Sequence, residues 1–136
     1  MPKGKDPSSG SAQTGIVTAV NAKAYRVQVR LSLLSFETEW IRVASSYVGS
    51  GWGMVAMPHV GDEVLVQFFN DDLNDGVVTH VLYSEGADYP PEAAEQVALF
   101  HESGSKFILK NNGDIILEAK NNLYLLGSEV HFNNDR

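Results

Sequence analysis

A short apolar pattern recurs through the last third of the chain: Phe107-Ile108-Leu109, Ile115-Ile116-Leu117, Leu123-Tyr124-Leu125 and Val130-His131-Phe132. Successive triplets begin eight, eight and seven residues apart. Large apolar side chains occupy the first and third positions of each triplet, as expected for a strand whose alternate side chains share one face. Asn, Gly, Asp and Ser fill the intervals, and these residues favour tight turns. The pattern is typical of a β-solenoid of very short period.

A single chain cannot bury the apolar face of such a segment, because the triplets make little more than one rung of a triangular solenoid. Leu99 lies eight residues before Phe107 and indicates one more strand, which raises the count to about five layers. Soluble monomers do not keep so large an exposed patch. We therefore predict that the segment associates with copies of itself or with a partner; if three chains wind round one axis, every apolar pair points into a shared core. The predicted trimer core is Leu99, Phe107, Leu109, Ile115, Leu117, Leu123, Leu125, Val130 and Phe132.

Two other segments lack the composition of a folded unit. Residues 86–97 contain Pro90-Pro91, which holds the backbone extended, and they predict a linker. Residues 1–13 are rich in Lys, Pro, Ser and Gly and predict a flexible arm, either disordered or ordered on a partner. The predicted organisation is therefore the arm, a domain at 14–85, the linker, and a β-helix segment at 98–136.

Short β-strands are predicted throughout the domain at 14–85. The clearest one, at 25–31, alternates strictly and places Val27, Val29 and Leu31 inside. The other predicted strands are 15–20, 40–43, 63–69 and 77–83, the last two joined across a loop at 70–76. Five short strands without an amphipathic helix favour a small closed barrel such as an OB fold. The predicted fold class is all-β, an OB-fold barrel followed by a short intertwined trimeric triangular β-helix.

The composition excludes several classes of function. The net charge is -7, and an acidic chain is repelled by phosphate backbones, so we expect no nucleic-acid partner. The absence of Cys excludes disulfides and thiolate chemistry. The first residues carry no apolar signal region, and no apolar run approaches the ~20 residues of a membrane span. These features predict assembly in the cytoplasm.

Reactive side chains do not converge in the sequence, and we expect neither catalysis nor a cofactor. Glu37 and Glu39 resemble the paired carboxylates of glycosidases, but nothing else marks a sugar cleft. The acidic loop at 71–75 carries Leu73 where a calcium loop needs an oxygen ligand. The histidines lack metal-ligand spacing within one chain. A three-fold axis still gathers three copies of an inward histidine, and His101 is the best candidate for that position.

Trp40 and Trp52 are the candidate binding residues of the predicted barrel. OB folds stack bases or sugars on aromatic side chains, whereas the acidic balance favours packing and contact with another subunit. Trp52 lies among glycines and is predicted to be the more exposed of the two, as an interface anchor. A binding module for single-stranded nucleic acid or glycan is the alternative function.

The stretch 15–83 resembles the OB domain of the central spike proteins of contractile injection systems. These are the baseplate assembly protein V of phages, tailocin spikes and the type VI secretion valine-glycine-repeat spike. The most specific signal is the order Pro58-x-x-Gly61-Asp62-Glu63-Val64, supported by Gly51-Trp52-Gly53. The residues 101–105 and 112–115 look like the neck and first turns of the trimeric β-helix of this family.

The resemblance implies a structural role without catalysis. It implies a homotrimer seated on a trimeric baseplate hub protein, with its β-helix projecting along the tail axis of the virion or bacterial injection system. Sheath contraction would then drive the spike through the target envelope. Longer spikes close their tip with an iron-binding His-x-His motif, but this chain reads His131-Phe132-Asn133. The apolar residues Val130 and Phe132 imply instead a separate tip protein of the proline-alanine-alanine-arginine repeat kind, a truncated gene product being the competing explanation.

Overall fold

The computed structural model describes residues 12–84 and 96–133, and every regular element in these stretches is a β-strand. The chain forms two compact units, one ending at residue 87 and the other starting at residue 88. The first unit contains β1 (Ala12–Asn21), β2 (Arg26–Leu31), β3 (Phe36–Glu37), β4 (Ile41–Val43), β5 (Val48–Gly49), β6 (Trp52–Gly53), β7 (Glu63–Phe69) and β8 (Asp72–Val81). The second contains β9 (Val97–Phe100), β10 (Lys106–Leu109) and β11 (Ile115–Glu118). Most of the predicted arm and linker lies outside the described residues.

Five strands of the first unit close into a barrel in the order β1-β2-β4-β8-β7 and back to β1. All neighbours are antiparallel except β4 and β8, which run parallel. This is the strand order of an OB fold, so the predicted barrel is confirmed. Closure leaves these five strands without a free edge along their paired length, which protects the barrel from pairing with other chains.

Alternating apolar residues fill the barrel. On β2 the side chains of Val27, Val29 and Leu31 are buried while Arg26 and Arg30 point outward, as the alternation predicts. Each fully buried side chain of this size contributes about 1.5–3 kcal/mol of transfer free energy. The buried core consists of Val17, Val27, Val29, Leu31, Ile41, Val64, Val66, Phe68 and Val78.

The turn before β7 explains the Pro-x-x-Gly-Asp order. The Asp62 carboxylate accepts a hydrogen bond from the His59 N–H at 2.7 Å, and the Asp62 N–H donates to the His59 carbonyl oxygen at 3.0 Å. Gly61 has a φ of +95°, which a residue with a side chain rarely adopts. The turn is fixed to β1 because the Gly61 N–H donates to the Val17 carbonyl oxygen and the Val17 N–H donates to the Asp62 carbonyl oxygen in return. The motif therefore aligns β7 against β1.

The β7–β8 hairpin turns sooner than predicted. Asn70 and Asp71 have φ angles of 51° and 62°, which these short polar side chains tolerate, so the chain reverses within two residues. The strand β8 begins at Asp72, and the predicted loop at 70–76 is wrong beyond the turn.

A bulge at 73–75 follows this turn, because Phe69 pairs with Asp72 whereas Phe68 pairs with Gly76. Leu73 packs against the barrel core, and the Asn74 side-chain oxygen accepts the Glu39 N–H at 3.1 Å. The segment that resembled a calcium loop therefore ties the hairpin to the residues before β4.

The second unit is a three-stranded antiparallel sheet in the order β11-β10-β9. The repeated spacing predicted strands here, but as successive layers of a solenoid. Two hairpin turns, with Gly104 and Gly113 at φ angles of +102° and +97°, reverse the chain instead. Between Glu118 and the last described residue, Asn133, the structure has no strand, so the strands predicted at 123–125 and 130–132 are absent from this single chain. A strand needs a neighbour, and here none is available within the chain described.

Candidate assembly surfaces

One face of the β9–β11 sheet is apolar and exposed. Phe107 lies directly opposite both Leu117 and Leu99, and Leu109 lies opposite both Ile115 and Val97. Directly paired residues of an antiparallel sheet project to the same side, so all six share one face. Their exposed fractions range from 37% to 74%. We call the residues Val97, Leu99, Phe107, Leu109, Ile115 and Leu117 the apolar sheet face.

The opposite face of the same sheet is different. Ile108 lies between Ala98 and Ile116 there and is only 5% exposed, while the two neighbours are half-buried. The sheet therefore has one side that is already packed and one side that is not. Soluble proteins do not usually leave such a row of Leu, Ile and Phe in water.

The structure brings together five of the nine predicted core residues on the apolar sheet face. The structure adds Val97, which the sequence pattern placed in the linker. Val97 belongs to this face because it pairs directly with Leu109. The other predicted core residues are exposed but lie outside any strand: Leu123, Leu125, Val130 and Phe132.

The histidines near this sheet do not lie on the apolar face. His101 was predicted to face an axis, but it lies in the turn after β9. Its Nδ1 accepts the Ser103 N–H at 3.1 Å and is 2.8 Å from the Ser103 hydroxyl, so the ring is held by the turn. His131 is exposed, with Nε2 2.9 Å from a Glu129 carboxylate oxygen.

A second exposed apolar surface lies on the first unit. The strands β5 and β6 form a small hairpin that is a separate two-stranded sheet. The Trp52 indole contacts the Tyr47 ring, with centroids 4.9 Å apart and planes tilted by 56°. The indole also covers Gly49, where an added Cβ would overlap it. Glycine at position 49 is thus required for the position of Trp52.

Trp52 is 56% exposed and Trp40 is 41% exposed, so Trp52 is the more accessible of the two, as predicted. An open groove of about 780 Å³ runs beside the hairpin and is lined mainly by residues 43–57. Tyr47, Val48, Met54 and Val55 are exposed along with Trp52. The sequence pattern points to the aromatic residues but not to Met54 and Val55, whose exposure depends on how the chain leaves β6. We call Tyr47, Val48, Trp52, Met54 and Val55 the hairpin patch.

The residues around Trp40 are structural. Thr38, between the exposed Glu37 and Glu39, is buried, and its hydroxyl accepts the Val29 N–H at 3.1 Å. The Gln28 side chain donates to the Thr38 carbonyl oxygen at 3.2 Å. The segment thereby fastens β3 and β4 to β2. The carboxylates of Glu37 and Glu39 therefore flank a buried threonine that joins strands of the barrel.

Among residues 12–84 and 96–133, no group of three or more His, Asp or Glu side chains is placed to hold a metal ion. No helix long and apolar enough to cross a membrane occurs in the same stretches.

Comparison with known proteins identifies the barrel. Residues 13–83 match the family model described as the type VI secretion system/phage-baseplate injector OB domain. The type VI secretion system spike protein VgrG2a of Pseudomonas aeruginosa is 40% identical over 58 residues, which are 43% of this chain and 7% of that protein. The spike protein VgrG1a of the same organism is 30% identical over 84 residues, 60% of this chain and 13% of that protein.

The actin cross-linking toxin VgrG1 of Vibrio cholerae is 36% identical over 52 residues, 38% of this chain and 5% of the toxin. The chain thus spans only a small part of the relatives it matches. The family model, in contrast, covers more than half of the chain and coincides with the closed barrel. The resemblance in sequence is confirmed, and this protein belongs to the injector OB-domain family of type VI secretion systems and phage baseplates.

Proposed function

We propose that this protein is the structural central spike of a contractile tail or injection-system baseplate. The observation that carries the proposal is the apolar sheet face, which lies on the same chain as an injector OB domain. Injector spikes transmit force and need a rigid multichain rod, and a sheet with one unpacked apolar side is suited to forming one. The proposed function involves no catalysis.

Three copies are the number that we propose. The apolar sheet faces of three chains turn toward one axis and bury one another, and the segments after β11 add the short trimeric triangular β-helix. Burying each of these half-exposed Leu, Ile and Phe side chains then stabilises the assembly by about 1 kcal/mol. In a closed, rotationally symmetric assembly the apolar sheet face of every copy is buried in the same way, and none stays exposed. We also propose that the arm, barrel, linker and spike segment occupy 1–13, 14–85, 86–97 and 98–136.

The partners are likewise part of the proposal. The barrels sit on a trimeric baseplate hub protein, with Trp40 and Trp52 at a hub or subunit interface. Val130 and Phe132, both exposed, receive a separate tip protein of the proline-alanine-alanine-arginine repeat kind. Assembly takes place in the bacterial cytoplasm, and the spike meets the target envelope only when the sheath contracts.

The oligomeric mass of the full chain tests this function. Light scattering on the purified protein is expected to give three times the 14.9 kDa of one chain across a tenfold range of concentration. A single-chain mass throughout that range would contradict the spike, because the apolar sheet face would then be stable in water.

A further inference from the structure

The positive charges of the barrel are concentrated on one part of its sheet. Acidic residues outnumber basic ones between residues 12 and 84, and the basic residues there are Lys23, Arg26, Arg30 and Arg42. Arg26 on β2 and Arg42 on β4 are exposed and lie directly opposite each other. Their next neighbours in the same row are Asn21 on β1 and Val77 on β8, and neither neighbour is charged. We call Arg26 and Arg42 the arginine pair.

The arginine pair is not compensated by negative charge within the chain. Directly opposite residues of an antiparallel pair have Cβ atoms about 4.5–5.5 Å apart, and like charges in such positions destabilise the sheet. In the described parts of the chain, no carboxylate forms an ion pair with either guanidinium. The Arg42 guanidinium lies 6.0 Å from the centroid of the Phe69 ring, a cation–π contact that leaves the charge in place. Departures of this kind from the rules of local stability are expected at functional sites.

Trp40 lies beside the arginine pair. Trp40 and Arg42 flank the buried residue Ile41 in sequence, and both are exposed. Trp and Arg are the residue types most enriched at the energetic centres of protein interfaces. The indole offers apolar area, while each guanidinium presents a planar fork of N–H donors that matches a carboxylate. This surface therefore has the composition of a docking site for a protein that carries carboxylates.

An acidic protein surface fits these residues better than a nucleic acid does. Glu37 and Glu39 are exposed and come just before Trp40 in the chain. A nucleic acid carries a negative charge at every phosphate, so its backbone would be repelled by these carboxylates and by the net negative charge of the chain. A protein partner can place a few carboxylates over the arginine pair and keep the surrounding surface uncharged.

We infer that the arginine pair and Trp40 form the docking site for an acidic patch on the proposed hub protein, whose carboxylates bind between the two guanidiniums. This inference rests on the proposed function, which supplies the hub, and it names the chemistry of the hub surface. The bound carboxylates offset the repulsion between Arg26 and Arg42. Docking thus removes a cost that the separate barrel carries.

The probe for this site is hexaglutamate with a fluorescent label, and its anisotropy is measured on titration with the full chain at low ionic strength. We expect saturable binding that weakens as salt is added. Arg26→Glu should weaken this binding several-fold. The same change is expected to stabilise the barrel, because it replaces a repulsive pair by an attractive one, so unfolding cannot explain the loss of binding.

Arg30→Glu is the matched control. Arg30 is exposed on the same strand and its replacement changes the charge by the same amount, but Arg30 lies opposite Glu37 rather than another arginine. We expect Arg30→Glu to weaken hexaglutamate binding much less than Arg26→Glu does. Equal losses in the two variants would show that only the net charge matters and would overturn the site. Tighter binding of a labelled oligothymidylate than of hexaglutamate would overturn the acidic protein partner in favour of a nucleic acid.

Light scattering on the same samples distinguishes failure of the docking site from failure of the proposed function. A trimer that does not bind hexaglutamate would overturn the docking site alone. A trimer mass that is lost in Arg26→Glu and kept in Arg30→Glu would overturn docking to the hub and assign the arginine pair to a contact between copies. A single-chain mass for the parent protein would overturn the proposed function, and with it the hub as the partner.

Discussion

The Thr38 hydroxyl accepts a hydrogen bond from the Val29 amide at 3.1 Å, while the Thr38 amide donates to the Val29 carbonyl oxygen at 2.8 Å. Both residues are buried. We expect Thr38→Val to destabilise the barrel by about 1–3 kcal/mol, because it removes the acceptor and leaves a buried amide unpaired. Urea unfolding at a fixed protein concentration measures the loss.

Thr38→Ser is the control for this prediction, since it keeps the hydroxyl and removes one methyl group. Thr18→Val provides a second comparison. The Thr18 hydroxyl donates to the Gln28 carbonyl oxygen at 3.3 Å in a partly buried position, so the loss of unfolding free energy should be smaller than for Thr38→Val. Equal stability of the Thr38→Val and Thr38→Ser variants would show that the hydroxyl is dispensable.

Gly49→Ala is predicted to displace the Trp52 indole, because the added Cβ overlaps the ring. In the Trp40→Phe background, the emission maximum of Trp52 should shift to longer wavelength as the indole moves into water. Gly61→Ala is the comparison. Position 61 has a positive φ and open space where a Cβ would lie, so this change costs about 1–2 kcal/mol in backbone strain without touching Trp52. An unchanged emission maximum in Gly49→Ala would contradict the packing described for the hairpin.

Phe107→Glu is expected to break the proposed trimer. Phe107 is at the centre of the apolar sheet face, opposite Leu99 and Leu117, and a carboxylate there would be buried without a partner. Light scattering should give the mass of one chain or a concentration-dependent mixture. Lys110→Glu places the same residue in the turn after β10, and this variant should keep the trimer mass. A Phe107→Glu protein as large as the parent would exclude this face from the assembly.

Arg26 lies directly opposite Arg42 on the outer side of the barrel, and like charges in directly opposite positions destabilise a sheet. We expect Arg26→Glu to stabilise the barrel by about 0.2–1 kcal/mol, because it creates an attractive pair. Arg30→Glu should destabilise the barrel by a similar amount, because Arg30 lies opposite Glu37 and the change places two carboxylates directly opposite each other. Urea midpoints at low and high salt measure both effects, and both should shrink at high salt. Midpoints that move in the same direction for the two variants would contradict a pairwise effect.

Much of the barrel can be predicted from sequence because its strands are defined locally. The alternation in β2 reports burial on one side and water on the other, and a two-residue period has one structural meaning. The tight turn at Asn70 and Asp71 was missed because several polar residues in a row fit many loop lengths equally well.

The second unit shows where local patterns become ambiguous. A spacing of eight residues fits a four-residue strand and a four-residue connection, whether that connection is a solenoid corner or a hairpin turn. The φ angles at Gly104 and Gly113 and the hydrogen bonds of the two turns select the hairpin. Residues that share a face in one arrangement also share it in the other, so Leu99, Phe107 and Leu117 fall on one surface although the connectivity differs.

The candidate surface on the barrel was less accessible to sequence reasoning. Trp52 is recognisable in the sequence because it is aromatic and surrounded by glycines. The groove that it lines also needs Tyr25, which is distant in sequence from both Trp52 and Met57. Only the folded barrel brings such residues to one place.

The pairing of β1 with β7 also bears on the order in which the chain folds. Gln13 pairs with Val66, and β8 joins β7 to β4, so the barrel cannot close until the chain has been synthesised past β8, and closing so long a loop is slow. Leu109 pairs with Ile115 only six residues away, a hairpin contact that forms within about 1–10 μs. The apolar sheet face is translated after all the strands of the barrel and folds fast. The chain therefore displays this surface only when every strand of the barrel has already been synthesised.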